Sequence, residues 1–182
     1  YLLAQVYHQM GAVDLAAQEL SIYESLSRGS IDMYAQAASL YRRLNMPQQE
    51  GVVLSQWVQE APNSPDARRS LADYYRRTGN FSAALNEYQQ LVALTPNNAQ
   101  AHVSMAQALV QMRLYADAQN AYLTALSLQP NDLGIRLQLA QAYRAAGDIA
   151  SAIGAYQSVI ELNPTSREAT RAARAIQQLQ SQ

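Results

Sequence analysis

The sequence predicts an all-α protein, an α-solenoid of antiparallel helix pairs, from three observations. One residue pattern returns every 34 residues along the chain, with no insertion or deletion. Each copy of the pattern contains two amphipathic stretches of helical periodicity, separated by a turn. One such helix pair is too small to bury its own apolar faces, so neighbouring copies must stack into a continuous core.

The pattern is clearest in the copy at residues 65–98. Its first helix carries apolar or small residues three and four positions apart, as at Leu71 and Tyr75. Gly79 is expected to end this helix, because glycine adopts the left-handed conformation without a steric cost. A second helix follows and stops at Pro96. The proline and the Asn, Ser or Thr after it are expected to provide a stop and an N-cap for the next helix.

The repeated pattern divides the chain into five copies and a final helix. The copies are predicted at residues 1–30 (truncated at its N-terminal side), 31–64, 65–98, 99–132 and 133–166, and a capping helix at 167–182. We number the 34 positions of a copy as slots. Because the chain starts at Tyr1, in slot 5 and without Met, we interpret it as a fragment of a longer protein. The capping helix is expected to bury one apolar stripe: Ala169, Ala172, Ala173, Ile176 and Leu179.

Composition excludes several classes of function. The formal net charge is −1, so no global field favours nucleic acid or anionic lipid. The chain has no Cys, which excludes disulfides, thiolate nucleophiles and Cys-ligated metals, and all 13 cationic residues are Arg, which excludes lysine Schiff bases. No apolar run is long enough to span a membrane. We therefore expect no nucleic-acid partner and no direct membrane insertion by this fragment.

No pattern typical of an enzyme or a metal site is present. The two histidines, His8 and His102, lie about three copies apart without a partner at metal-ligand spacing. Phosphate-binding loops and nucleophile elbows are absent from the sequence. We expect no catalytic activity, no cofactor and no metal. Most tyrosines occupy recurring aromatic slots and Trp57 lies in a second helix, so these rings are interpreted as core packing.

The 34-residue pattern resembles the tetratricopeptide repeat (TPR), whose signature is W-x-x-L-G-x-x-Y, A-x-x-x-F and P. The resemblance covers essentially the whole chain, and Tyr replaces Phe in three copies. The second copy departs from the signature, because Glu50 stands where a small Ala is expected and Pro47 lies in the turn. The Trp slot departs most, with these residues in copies two to five: Tyr34, Arg68, His102 and Arg136.

The resemblance implies a right-handed superhelix whose concave face, built by the first helices, binds a peptide or protein segment. Carried onto this sequence, it predicts the following groove residues: Arg42, Arg43, Arg69, Asp73, Arg76, Arg77, Val103, Gln107, Val110, Gln111, Leu137, Gln141 and Arg144. Two Arg-Arg pairs lie 34 residues apart in this set. They either bind carboxylates of a partner or are satisfied by Asp32, Asp66, Asp73 and solvent.

Some TPR cochaperones use a two-carboxylate clamp of Lys, Asn and Arg, and no window of this sequence supplies those residues. We therefore predict a non-catalytic interaction module, a scaffold or assembly factor whose partner is an extended protein or peptide segment, with an acidic segment as one candidate. The alternative is a spacing or oligomerising segment of a larger bacterial envelope, secretion or exopolysaccharide-export protein, with self-association. A third hypothesis is the docking array of an enzyme. The bacterial cytoplasm and the periplasm both stay open.

Overall fold

The computed structural model describes residues 1–26 and 30–181, and it confirms the all-α class. Within these residues the chain forms eleven helices and no strand. The helices group into two compact units, Tyr1–Thr78 (unit 1) and Gly79–Gln182 (unit 2). The boundary between the units lies inside the predicted copy at residues 65–98, and the division of the chain into five copies stays a prediction.

Unit 1 contains five helices: α1 (Leu2–Gln9), α2 (Val13–Leu26), α3 (Ile31–Arg43), α4 (Pro47–Glu60) and α5 (Pro65–Arg77). Successive helices pack on each other along the chain, α1 on α2, α3 on α4 and α4 on α5. One continuous apolar core runs through the unit and includes Leu20, Leu40, Leu54 and Trp57. The sequence interpretation of Trp57 as core packing is therefore confirmed.

Unit 2 contains six helices: α6 (Phe81–Leu94), α7 (Ala99–Gln111), α8 (Tyr115–Leu128), α9 (Leu133–Ala145), α10 (Ile149–Leu162) and α11 (Arg167–Gln180). Each helix packs on the next, and α11 also contacts α9. The small residues at the predicted close-packing slot are completely buried: Ala84, Ala118 and Ala152. Tyr88 is also completely buried, and Tyr156 is 1% exposed.

A three-residue turn joins the two helices of each pair, and its middle residue, in slot 15, adopts the left-handed conformation. The φ angles are 75° at Gly11, 82° at Gly79 and 81° at Gly147. Asn45 and Arg113 occupy the same slot with φ of 57° and 60°. Asparagine tolerates this conformation, whereas arginine has no feature that favours it. All five turns therefore share this backbone geometry, although the residue in slot 15 differs between them.

The helix caps lie one residue later than the sequence pattern predicted. The residue directly after each closing proline is not the N-cap. The second residue after the proline caps the next helix, and its side chain accepts a backbone N–H in four cases: Ser64, Asn98, Asp132 and Ser166. The reason is geometric, since one further residue is needed to turn the chain before the new helix begins.

The capping helix α11 buries an apolar stripe, with one correction. Ala169 and Ala172 are buried as expected, but Ala173 is exposed and Ala175 is buried in its place. A spacing of three residues from Ala172 keeps Ala175 on the buried side, whereas the adjacent position turns away from it.

Candidate functional site

The first helices of unit 1 border a cavity of about 430 Å³. Residues from α3, α4 and α5 line it: Ala35, Ala38, Ser39, Arg42, Glu50, Leu54, Trp57, Ser70, Asp73, Tyr74, Arg76 and Arg77. The volume is within the range of about 300–1,000 Å³ that is typical of ligand pockets. The cavity therefore has room for side chains of a bound segment.

The arginine residues of the predicted groove do not all meet in this cavity. Arg42, Arg76 and Arg77 line it, whereas Arg43, next to Arg42 on α3, does not. Arg69 also lies outside it and forms an exposed ion pair with Asp66, at 3.2 Å. The register of α3 explains the first difference, because consecutive residues of a helix point about 100° apart.

Glu50 lies in the buried wall of the cavity and is paired with Arg77 of the next copy. Glu50 is only 4% exposed, and its Oε2 accepts a hydrogen bond from the Arg77 guanidinium. The same guanidinium lies 5.7 Å from the centre of the Tyr74 ring, a cation–π distance. This pair was missed in the sequence. The signal was Glu50 itself, since a carboxylate in a slot for buried alanine requires a cationic partner.

Two groups that line the cavity have unused hydrogen-bonding capacity. Trp57 is 4% exposed, and its indole N–H has no hydrogen-bond partner among the described residues. Arg42 is exposed and forms no hydrogen bond or ion pair within the described part of the chain. Arg76, by contrast, lies 3.5 Å from Asp73. The cavity thus presents one cation, Arg42, without a partner among the described residues, whereas the unpaired Trp57 N–H is closed to solvent.

The predicted groove residues of unit 2 occupy two different environments. Val103 and Leu137 are buried in the apolar core, and Val110 is partly buried against it. The other predicted residues, Gln107, Gln111, Gln141 and Arg144, are half-buried or exposed. Because Val103 and Leu137 are buried, the surface of α7 and α9 presents mainly amide and guanidinium groups.

An amide pair connects these two helices. Gln107 Nε2 donates to Gln138 Oε1 at 2.9 Å, and the Tyr122 hydroxyl donates to the same oxygen at 3.3 Å. Burial raises the pKa of Tyr122 to about 12, which keeps the phenol protonated as a donor. Gln138 is therefore held by two neighbours, and the hydrogen bonds that link α7 to α9 here are between neutral groups.

Three of the four residues in the Trp slot share a role despite their different side chains. Arg68 Nε donates to the carbonyl of Pro62 at 2.9 Å, His102 Nε2 lies 2.9 Å from the carbonyl of Pro96, and Arg136 also donates, to the carbonyl of Pro130. A carbonyl only accepts hydrogen bonds, so His102 Nε2 is the donor. These side chains satisfy backbone carbonyls in the loop that follows the preceding helix, and His102 has a structural role.

A second inward-facing carboxylate of unit 1 belongs to Glu24 on α2. It accepts a hydrogen bond from the Tyr41 hydroxyl, while its Oε1 is buried and has no partner among the described residues. Burial raises the pKa of Glu24, and the bond from Tyr41 opposes part of this shift. Burial also raises the pKa of Tyr41.

Across residues 1–26 and 30–181, no group of three or more His, Asp or Glu side chains is arranged to hold a metal ion. No helix in the same residues is long and apolar enough to cross a membrane.

Comparison with known proteins decides the family. A tetratricopeptide repeat model matches residues 103–167, and a TPR repeat model matches residues 72–112. The chain belongs to the tetratricopeptide repeat family. No curated protein sequence matches this TPR protein. The family and the fold are those of protein–protein interaction scaffolds.

Several solved structures share the fold of this TPR protein at low sequence identity. MamA 41-end from Desulfovibrio magneticus RS-1 is 18% identical, with a TM-score of 0.75 over 91% of this chain and 93% of that chain. YrrB, described as a TPR protein with an unusual peptide-binding site, is 16% identical, with a TM-score of 0.73 over 94% and 88%. Yeast Tom70 is 21% identical, with a TM-score of 0.69 over 100% and 39%.

Proposed function

We propose that this TPR protein is a non-catalytic interaction scaffold that holds an extended segment of a partner protein on its first helices. The observation that carries the proposal is the unit 1 cavity, in which the exposed guanidinium of Arg42 is unpaired within the described residues and lies among polar and charged side chains. An exposed guanidinium without a partner in the chain can form charge-assisted hydrogen bonds with a carboxylate of a bound segment. The peptide-binding site named for YrrB gives a precedent within the same fold.

The exposed side chains of unit 2 support the same function. Gln111 and Gln141 lie on first helices and are exposed. Primary amides both donate and accept hydrogen bonds, so they can bind the backbone of an extended peptide without regard to its side chains. The first helices of both units therefore offer polar groups that suit a peptide.

Site-specific photo-crosslinking tests this proposal. A benzophenone amino acid replaces Ala35 or Gln141, both exposed on first helices, and in matched controls it replaces Gln89 or Gln157, both exposed on second helices. Peptides are selected for binding to the whole chain from a phage-displayed random library. We expect them to crosslink to the first pair of positions only. Crosslinks confined to Gln89 and Gln157, or a library that yields no binder, would contradict the proposal.

Self-association as a spacing segment is a second candidate, favoured by the apolar surface of α1 and α2. Leu2 and Met10 are 76% and 72% exposed, and Leu3, Val6, Val13 and Leu15 are also exposed. Apolar side chains grouped in this way are typical of association surfaces. The test is the molar mass in solution by light scattering: a dimer that becomes monomeric in a Leu2→Ser, Met10→Ser variant supports this function, and a monomeric wild type contradicts it.

A further inference from the structure

We propose that the unit 1 cavity is a specificity pocket for one acidic side chain, Asp or Glu, of the bound segment. This inference rests on the proposed function and names the chemistry of the residues that the cavity selects. It assigns separate tasks to the arginine residues that the sequence shows as two equal pairs.

The first step is the distribution of charge. The cavity is lined by three guanidinium groups, Arg42, Arg76 and Arg77, and by the two carboxylates of Glu50 and Asp73. This leaves a net single positive charge. Such a surplus matches one carboxylate and is too small for a phosphate dianion, which carries a charge of about −1.5 to −2 at neutral pH.

The second step concerns which cation is available. Arg77 already binds the buried carboxylate of Glu50, and Arg76 lies beside Asp73. Arg42 has no such carboxylate among the described residues. Its planar guanidinium can bind a partner carboxylate with two parallel hydrogen bonds. Arg42 is therefore the group that recognises the acidic residue.

The third step is the indole of Trp57. Its N–H is buried in the cavity wall without an acceptor. A buried donor that stays unsatisfied destabilises the free protein, but this donor is closed to solvent, so the contact with the acidic side chain is made by Arg42. Trp57 and Leu54 are 4% and 2% exposed, so the accessible lining of the cavity is mainly polar and charged.

The structure provides both a matched control and a reporter. Arg42 and Arg43 are adjacent exposed residues with the same charge, but only Arg42 lines the cavity. Arg42→Gln and Arg43→Gln therefore change the net charge equally and differ only in position. Trp57 is the single tryptophan of the chain, so its fluorescence reports directly on the cavity.

The experiment uses the tightest peptide from the phage selection and a version in which each Asp or Glu is replaced by Asn or Gln. Both are titrated into the whole chain and followed by Trp57 fluorescence. We expect the acidic peptide to bind the wild type and the Arg43→Gln variant about tenfold more tightly than the amide peptide, as one charge-assisted hydrogen-bonded pair implies. In Arg42→Gln this preference should disappear.

A Trp57→Phe variant keeps the ring and removes the donor. With a fluorescently labelled acidic peptide, we expect this variant to bind as tightly as the wild type, because the N–H is closed to a ligand, and its urea unfolding midpoint shows whether it is folded. Equal affinity of the two peptides for the wild type, or equal effects of Arg42→Gln and Arg43→Gln, would overturn the specificity pocket. If the specificity pocket fails this test but peptides still crosslink to the first helices, the proposed scaffold function stands. The absence of any binder would overturn the scaffold function and the specificity pocket together.

Discussion

Glu50 and Ala118 occupy the same slot of the repeat, on α4 in unit 1 and on α8 in unit 2, and their surroundings differ. Ala118 is 0% exposed and packs with apolar neighbours. Glu50 is nearly as buried, and Arg77 of the next copy neutralises it. The slot that provides the partner, slot 13, holds Arg77 after Glu50 and Ala145 after Ala118.

This difference shows how the repeat accepts a charged residue in its core. A buried carboxylate loses its hydration, and the loss is tolerable only if a cation replaces the water. In unit 1 that cation comes from the following helix, and it also lines the cavity. The departure from the repeat signature at Glu50 and the candidate binding site are thus parts of one arrangement.

The largest expected effect comes from moving the carboxylate into the unit that lacks a partner for it. We expect Ala118→Glu to reduce the free energy of unfolding by about 3–5 kcal/mol, because the new charge is buried without a cation. Ala118→Leu is the control for added volume, with an expected loss of about 1–3 kcal/mol. Urea denaturation measures both. A loss in Ala118→Glu no larger than in Ala118→Leu would contradict this account of the slot.

The reciprocal change removes the partner from unit 1. Arg77→Met leaves Glu50 buried and unpaired, and we expect a loss of about 2 kcal/mol, lower than for a fully buried pair because Arg77 is 43% exposed. The Glu50→Ala, Arg77→Met double variant should recover most of this loss, since it recreates the environment of Ala118. A double-mutant cycle with no coupling between the two residues would show that the ion pair is not what stabilises Glu50.

Arg113 is another departure from the repeat signature, and replacing it should stabilise the protein. Arg113 adopts the left-handed conformation that Gly79 and Gly147 adopt in the same slot. We expect Arg113→Gly to stabilise the protein by about 1 kcal/mol, because it removes the steric cost of a Cβ at positive φ. The urea midpoint should rise, and Gly147→Arg should lower it. A fall of the midpoint in Arg113→Gly would indicate that the arginine makes a stabilising contact.

The smallest effect concerns Glu24, the unit 1 carboxylate that Tyr41 contacts and that has no ion pair with a cation among the described residues. Its pKa in the folded protein is raised by burial, so the folded state binds a proton more readily than the unfolded state. Stability should therefore fall as pH rises from the ordinary range of a Glu carboxyl through the raised folded pKa.

The Glu24→Gln variant tests this sign, because the amide still accepts the Tyr41 hydrogen bond and does not ionise. We expect the variant to be the more stable protein at neutral pH and to lose its advantage in acid. Unfolding free energies measured from acidic to neutral pH provide the comparison. A variant that is less stable than the wild type at neutral pH would contradict the predicted sign.

Much of the fold was predictable because its signals are local. Helix periodicity, the glycines of slot 15 and the closing prolines indicated the helix pairs, and the buried alanines and tyrosines followed from their slots. The exact N-cap and the choice between Ala173 and Ala175 were wrong by one or two residues. Such details depend on how the chain turns between helices, which residue patterns describe only approximately.

The candidate site was less predictable. The sequence indicated four equivalent arginines, but it contained no information on which of them meet in one cavity. It also presented Glu50 as an anomaly of the repeat, without its partner 27 residues later. The sequence also left open whether Arg76 pairs with Asp73, three residues earlier on the same helix, or is satisfied by solvent.

The sequence by itself determined the family, the all-α class, the register of the helices and the left-handed turns, because these follow from the periodicity and the local preferences of the backbone. Only the tertiary structure decided that Arg77 neutralises Glu50, that Arg42 lines the cavity while Arg43 does not, and that the Trp57 N–H is buried without a partner. The physical reason is that these properties depend on the rotation of each helix against its neighbours, which side-chain packing sets between residues distant in the chain.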